Sequence, residues 1–176
     1  LLQYYRRYLP YFQKVKSIIN SGTIGTIVNV QIRFSVPPRD LDYQDAHNLP
    51  WRLQPDIAGG GYFYDLAPHQ LDLLQDIFGV ITRAHGYCSN RAHLYKAEDS
   101  ISASFFFENG LPGSGSWCFV GHQSAKEDCI EVIGDKGMLS FSVYNYDPIQ
   151  VVTSAGRTNI VVPNPSYVQL PIIRSV

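Results

Sequence analysis

The amino-acid sequence predicts an α+β fold, an open and largely antiparallel sheet with helices on one face. Two observations carry this expectation. Apolar residues recur at helical spacing in only two early stretches, near residues 10–21 and 65–78, and from residue 82 onward the pattern is that of short strands. Asn109-Gly110 and Asp135-Lys136-Gly137 separate adjacent apolar runs as hairpin turns do. Helices first and strands after is the order of an α+β layout.

Taken in order, Pro10 suits the first turn of a helix, and Phe12, Val15, Ile18 and Ile19 follow at helical spacing. Ser21-Gly22 stops that helix, since glycine adopts the left-handed cap cheaply. The period then becomes two. Val28, Val30, Ile32, Phe34 and Val36 alternate with polar residues as one half-buried strand, which Pro37-Pro38 ends. Residues 37–58 form a long irregular segment rich in Asp and Pro, a length of loop that is usually functional or mobile. After Gly59-Gly60-Gly61 a helix runs from about Asp65 to Phe78 and ends at Gly79. Strands are expected near 82–90, 100–108, 113–122, 127–134, 137–144 and 149–153, with a weaker one near 157–162. A helix is expected to begin in the apolar run before Arg174. Phe106, Trp117 and Phe119 read as opposite in parity to Phe105, Phe107 and Cys118, so aromatics are expected on both sheet faces, the second covered by another copy of the chain.

Composition narrows the function classes. The 176 residues carry 14 Lys+Arg against 15 Asp+Glu, a formal charge of −1, which speaks against a dedicated nucleic-acid binder. No apolar run is long enough for a membrane span. Cys88, Cys118 and Cys129 are too few and too widely spaced for a disulfide framework and read as reduced thiols, hence a cytoplasmic location. A chain of 176 residues is long enough to bury one sizeable core, which predicts a single domain over residues 1–176. The chain opens Leu1-Leu2-Gln3 and closes Arg174-Ser175-Val176, and it is expected to be a piece of a longer polypeptide.

The densest polar cluster lies on the 65–78 helix. Asp65, His69, Asp72 and Asp76 recur at helical spacings on one side of it, so the Asp65 and His69 β-carbons should lie about 5–6 Å apart. Asp65 suits the N-cap, with Pro68 in the first turn. Three glycines just before it would let a ligand or another backbone approach closely. Oxidising a carbinol needs a base for the hydroxyl proton, and histidine, with an ordinary pKa of ~6.5, serves near neutrality. The positive end of the helix dipole favours an ionised Asp65 and a neutral His69.

Blander readings stand beside this one. An Asp-x-x-x-His pair at a helix start is also what a cap and a surface histidine look like, and Gly59–Gly61 also fits a plain hinge. The glycines are not the spaced dinucleotide fingerprint, and no third ligand accompanies the Asp/His stripe, so no metal is expected. His47, His85, His93 and His122 read as ordinary surface or strand histidines.

Trp51-Arg52, followed by Gly59-Gly60-Gly61-Tyr62-Phe63-Tyr64-Asp65-Leu66-Ala67-Pro68-His69-Gln70-Leu71-Asp72, resembles the signature of the glucose-fructose oxidoreductase/inositol dehydrogenase (Gfo/Idh/MocA) family. Arg6-Arg7, Pro10, Val15-Lys16 and Gly22-Thr23-Ile24-Gly25 are similar to the family's link into its second domain. Glu98-Asp99, Asn109-Gly110 and Ile133–Gly137 match its later strands and turns.

The resemblance implies the C-terminal domain of a glyceraldehyde-3-phosphate-dehydrogenase-like type, which supplies the substrate site and the oligomer interface, often sheet face against sheet face. It implies that NAD or NADP is bound mainly by an N-terminal Rossmann domain, with no cofactor-binding residue in this chain, and the family's Glu-Lys-Pro motif does not occur here. It further implies His69 as the catalytic histidine and Asp65 as the substrate-binding acid. Arg7, Trp51, Arg52 and Gly61 are candidates for the pocket wall, since arginine can fork hydrogen bonds and tryptophan can stack on a sugar face. Ala67-Pro68 departs from the Gly and small residue of many members, which bears on substrate preference. The function implied is hydride transfer between nicotinamide and a sugar, cyclitol or related polyol. Two alternatives stay open: an NAD-dependent glycosidase of the same family, and a non-catalytic binding and oligomerisation module.

Overall fold

In a computed structural model, residues 4–43 and 48–174 are described. A 3₁₀ turn at Tyr5–Tyr8 leads into helix α1 (Pro10–Asn20), and Tyr11, Phe12, Val15 and Ile18 form the buried stripe of that helix. Strand β1 (Ile27–Ser35) buries Val30, Ile32 and Phe34, as strict alternation requires, whereas Val28 sits at a register shift and is exposed. The long segment that follows holds 3₁₀ turns at Asp40–Tyr43 and Trp51–Leu53 and a short helix α2 (Pro55–Ala58). Gly59 closes α2 at φ +79°, a left-handed cap that a side chain would strain.

Helix α3 spans Tyr62–Phe78 and stops at Gly79, as the sequence predicts. Its start differs. Asp65 is not the N-cap; it lies inside the first turn, and Pro68 is inside the helix, where it cannot donate to the Tyr64 carbonyl. The cause is tertiary. Tyr62 is buried, and its hydroxyl donates to Asp42 Oδ1 at 2.6 Å, so packing draws the helix start back toward the glycines.

The remaining strands are β2 (Ile81–Ser89), β3 (Ser100–Phe107), β4 (Pro112–Cys118), β5 (Glu127–Gly134), β6 (Gly137–Phe141), β7 (Ile149–Thr153) and β8 (Gly156–Ile160), followed by helix α4 (Leu170–Arg174). They form one eight-stranded sheet in the order β2-β3-β4-β1-β5-β6-β7-β8. All neighbours are antiparallel except β1 and β4, which are parallel, so the sheet is mixed with an antiparallel majority. That parallel pair needs a long crossover, and α3 lies within it.

The core fills the space between the helices and one sheet face. Ile101, Phe105, Trp117, Ile130, Val132, Leu139 and Phe141 meet the α1 stripe and Ala67, Leu73 and Leu74 of α3. Each large side chain so buried contributes about 1.5–3 kcal/mol.

Aromatics do lie on both sheet faces, but register moves Trp117 from the side expected for it. Ile101 faces Trp117 and Phe105 faces Gly113, so Phe105, Phe107 and Trp117 share the helix side, the rings lying over Gly113 and Gly115. On the uncovered face Phe106 is half-exposed under the Arg83 guanidinium, 4.6 Å from its ring centre. Tyr87, opposite Ser102, is exposed on the same face, and the rest is largely polar, with Ser102, Ser104 and Ser116, and with Arg33 bridging Glu127 and Glu131 at 2.8 and 2.7 Å. Among the described residues, no helix is long and apolar enough to cross a membrane.

Candidate functional site

The site is built at the start of α3. Gly61 seats that start against the loop before β3. A Cβ there would lie 2.8 Å from Ala97 Cβ and 3.1 Å from the Glu98 carbonyl, and the Gly61 N–H donates to Glu98 Oε1. The close approach the glycines allow is thus that of another backbone. One turn on, the Asp65 carboxylate accepts a 2.7 Å hydrogen bond from Arg52 Nε. The Arg52 guanidinium lies 4.5 Å from the centre of the exposed Trp51 ring. A cleft of about 200 Å³ opens here, lined by Trp51, Arg52, Ala58, Gly61, Tyr64 and Asp65. Four of the residues named from sequence therefore share one cleft wall.

His69 follows one turn later in α3, outside that cleft lining. The imidazole is half-buried and ringed by tyrosines, with centroids of Tyr4, Tyr5 and Tyr144 at 5.8, 6.5 and 6.5 Å. Nδ1 is buried with no hydrogen-bond partner among the described residues. Burial pushes the His69 pKa below its ordinary 6.5, and the Arg6 guanidinium lowers it further; Asp65 and Asp72 oppose the shift. The neutral form expected from the helix dipole is favoured, and its causes are desolvation first and Arg6 second.

Arg7 is placed elsewhere. Nε donates to Asp72 Oδ2 at 2.7 Å, Nη2 pairs with Asp72 Oδ1, and Nη1 lies 3.7 Å from Asp76. Lys16 donates to Asp76 Oδ2 at 2.9 Å. The lower half of the acidic stripe therefore ties α3 to α1 and to the turn before it. His85, His93 and His122 are exposed and do not line the cleft; His47 lies outside the described residues. Among the described residues, no group of three or more His, Cys, Asp and Glu side chains could hold a metal ion.

Two residues beside His69 escape sequence reasoning. Tyr144 covers the imidazole, and its hydroxyl donates to the Leu66 carbonyl at 2.6 Å, anchoring the segment after β6 to α3. Arg6 lies beneath it, donating to the Val143 carbonyl and to the Tyr146 hydroxyl. The run Tyr4-Tyr5-Arg6-Arg7-Tyr8 was the visible signal for Arg6, since an arginine among tyrosines suits cation–π packing.

Residues 12–140 match the family model of the GFO/IDH/MocA C-terminal domain. Oxidoreductase P35 of Formosa agariphila is 33% identical over 171 residues, covering 97% of this chain and 51% of the relative. Levoglucosan dehydrogenase of Pseudarthrobacter phenanthrenivorans is 22% identical, covering 88% of this chain and 45% of the relative. The solved complex of a levoglucosan dehydrogenase with NADH and levoglucosan superposes with a TM-score of 0.76 at 23% identity, covering 93% of this chain and 47% of that one, and shows the same fold. The chain spans about half the length of the curated relatives it matches.

Proposed function

Since this chain belongs to the GFO/IDH/MocA family of oxidoreductases, we propose that it is the substrate domain of an NAD(P)-dependent enzyme acting on a sugar, cyclitol or related polyol. The observation that carries this reading is His69, half-buried and with no partner for Nδ1 among the described residues, one turn beyond an Asp65 that Arg52 holds at the cleft. Relatives named or solved with levoglucosan and L-sorbose support a carbohydrate-like substrate.

Among the described residues, Gly59–Gly61 do not have the form of a dinucleotide cradle. Gly59–Gly61 follow a short helix rather than a strand, and a Cβ at Gly60 or Gly61 would meet the Tyr64 ring or Ala97. This supports assigning NAD or NADP to a Rossmann domain elsewhere in a longer protein, and proteins of the same fold have been solved with NADH or NAD+. Bound there, the cofactor would supply the hydride acceptor or donor for the substrate carbon.

This chain's part is proton handling and placement. A neutral His69 accepts the carbinol proton at Nε2, since Nδ1 is the buried nitrogen. Asp65 accepts a hydrogen bond from a substrate hydroxyl, its own position set by Arg52. Trp51 offers an exposed ring for a sugar face, and Arg52 the edge of the guanidinium. Arg7, paired with Asp72, orients α3 rather than the substrate. A second copy of the chain is assigned to the uncovered sheet face, and ultracentrifugation finding only monomer would remove it. A cytoplasmic location goes with this reading.

The test uses the full-length protein. His69→Ala is expected to depress NAD(P)-linked oxidation of sugars and polyols by about 10²–10⁴-fold while leaving NADH binding nearly intact. Turnover at the wild-type level would end this assignment.

A further inference from the structure

The least expected group near His69 is Arg6. It is only 8% exposed, yet among the described residues no carboxylate lies within salt-bridge distance. A buried guanidinium without a counter-ion is costly. Here it is held by the Val143 carbonyl at 2.9 Å and the Tyr146 hydroxyl at 2.7 Å, and Nε has no partner. Its charge is instead spread against aromatic faces, 4.7 Å from the Tyr144 centroid, 5.3 Å from Tyr5 and 5.9 Å from Tyr146.

Tyr5 and Tyr144 are also two of the rings packed on His69. The guanidinium and the imidazole therefore share two aromatic neighbours, one from the turn before α1 and one from the segment after β6. In a Ser-His-Asp arrangement a carboxylate sits on the histidine Nδ1 and stabilises the imidazolium. Among the described residues Nδ1 has no such partner, and the nearby buried charge is positive.

We propose that Arg6 is a positioning residue for His69: its guanidinium, held by the Val143 carbonyl and the Tyr146 hydroxyl and lying against Tyr144 and Tyr5, sets the rings that pack on the imidazole and places a positive charge beside it. The assignment rests on the reading of His69 as the base. The groups facing His69 are Tyr4, Tyr5 and Arg6 from the first turn, Asp65 and Asp72 from α3, and Tyr144 from the segment after β6. Arg6 alone among the charged ones opposes protonation, so removing it leaves two carboxylates that favour it.

The experiment is histidine-selective NMR titration of the full-length protein, with His69 assigned by the resonance missing in His69→Asn. Arg6→Met is expected to raise the His69 midpoint by about one to two pH units, the size of one charge roughly 6–12 Å away at an effective dielectric near ~20. Arg6→Lys, which keeps the charge, should restore most of the wild-type midpoint, and the acid limb of kcat/KM should move with each. Arg6→Gln, able to donate to the Val143 carbonyl, replaces Arg6→Met should the latter not fold. A folded neutral variant with the wild-type midpoint overturns the proposal, as does loss of the fold in both neutral variants, which would make Arg6 purely structural. The titration reads the coupling whether or not His69 is the base; an active His69→Asn would end the base assignment alone.

Discussion

Trp117 Nε1 donates a 2.6 Å hydrogen bond to Gln70 Oε1 inside the core, between the sheet strand β4 and the middle of α3. Both residues are buried, and they are 47 positions apart in sequence. The bond fixes how α3 is turned on the sheet. With Gln70 facing inward, His69 and Asp65 are carried along the partly open side of the same helix.

Gln70→Met should therefore destabilise the protein by about 1–3 kcal/mol, because a buried indole N–H loses its acceptor. Chemical denaturation followed by tryptophan fluorescence measures this. An unchanged midpoint would mean that water or another acceptor takes the Gln70 position.

Asp65 and Arg52 separate stability from activity. Their side chains are 36% and 41% exposed, so the pair is worth roughly 0–1 kcal/mol to folding. Arg52→Met and Asp65→Asn should each leave the denaturation midpoint almost unmoved. Each should also lower kcat/KM in the full-length enzyme by about 10²-fold through misplaced substrate.

Acidification should remove two stabilising contributions in a defined order. The His69 pKa is lowered below its unfolded value near ~6.5, so the unfolded chain binds the proton more readily than the folded one. The stability associated with neutral His69 is fully present above ~6.5 and is lost as pH falls through the lowered folded value. Glu131, lowered by its Arg33 hydrogen bond, acts in the same sense from about 4.5 downward. Asp128, whose pKa burial raises, acts in the opposite sense as pH falls, so the His69 loss is read as the difference between the wild type and His69→Asn in denaturation midpoints measured from pH 8 downward.

Gly61→Ala should cost about 1–3 kcal/mol, since the new methyl meets Ala97 and the Glu98 backbone, neither of which can swing aside. Thermal unfolding reads the loss. Because Gly61 seats the start of α3, the variant should also impair turnover, whereas Gly110→Ala, strained by its φ of +83° at the β3–β4 turn but meeting no neighbour, should cost stability without impairing turnover.

Much of the fold was legible locally. The alternation of Val30, Ile32 and Phe34 and the turn at Asn109-Gly110 are short-range patterns, and β1, β3 and β4 form where those patterns lie. The partnership of β1 with β4 was not legible, since a parallel pair across a long crossover leaves no turn between its strands. Nor was the facing of Trp117, which depends on register against Ile101 and not on the parity of its own strand. For the site, Trp51, Arg52, Gly61 and Asp65 were each visible, and the structure gathers them in one cleft.

What the sequence determined by itself is the set of elements and the spacing that sets Asp65 and His69 one helical turn apart, because both follow from local periodicity. What only the tertiary structure decided is the environment of those side chains. Arg52 takes Asp65, Asp72 takes Arg7, and the tyrosines and Arg6 enclose the imidazole, from segments as far apart as residues 4 and 144. The charge state of a histidine depends on burial and on charges within a few ångström, and those neighbours are set by chain topology, not by residues next to it in sequence.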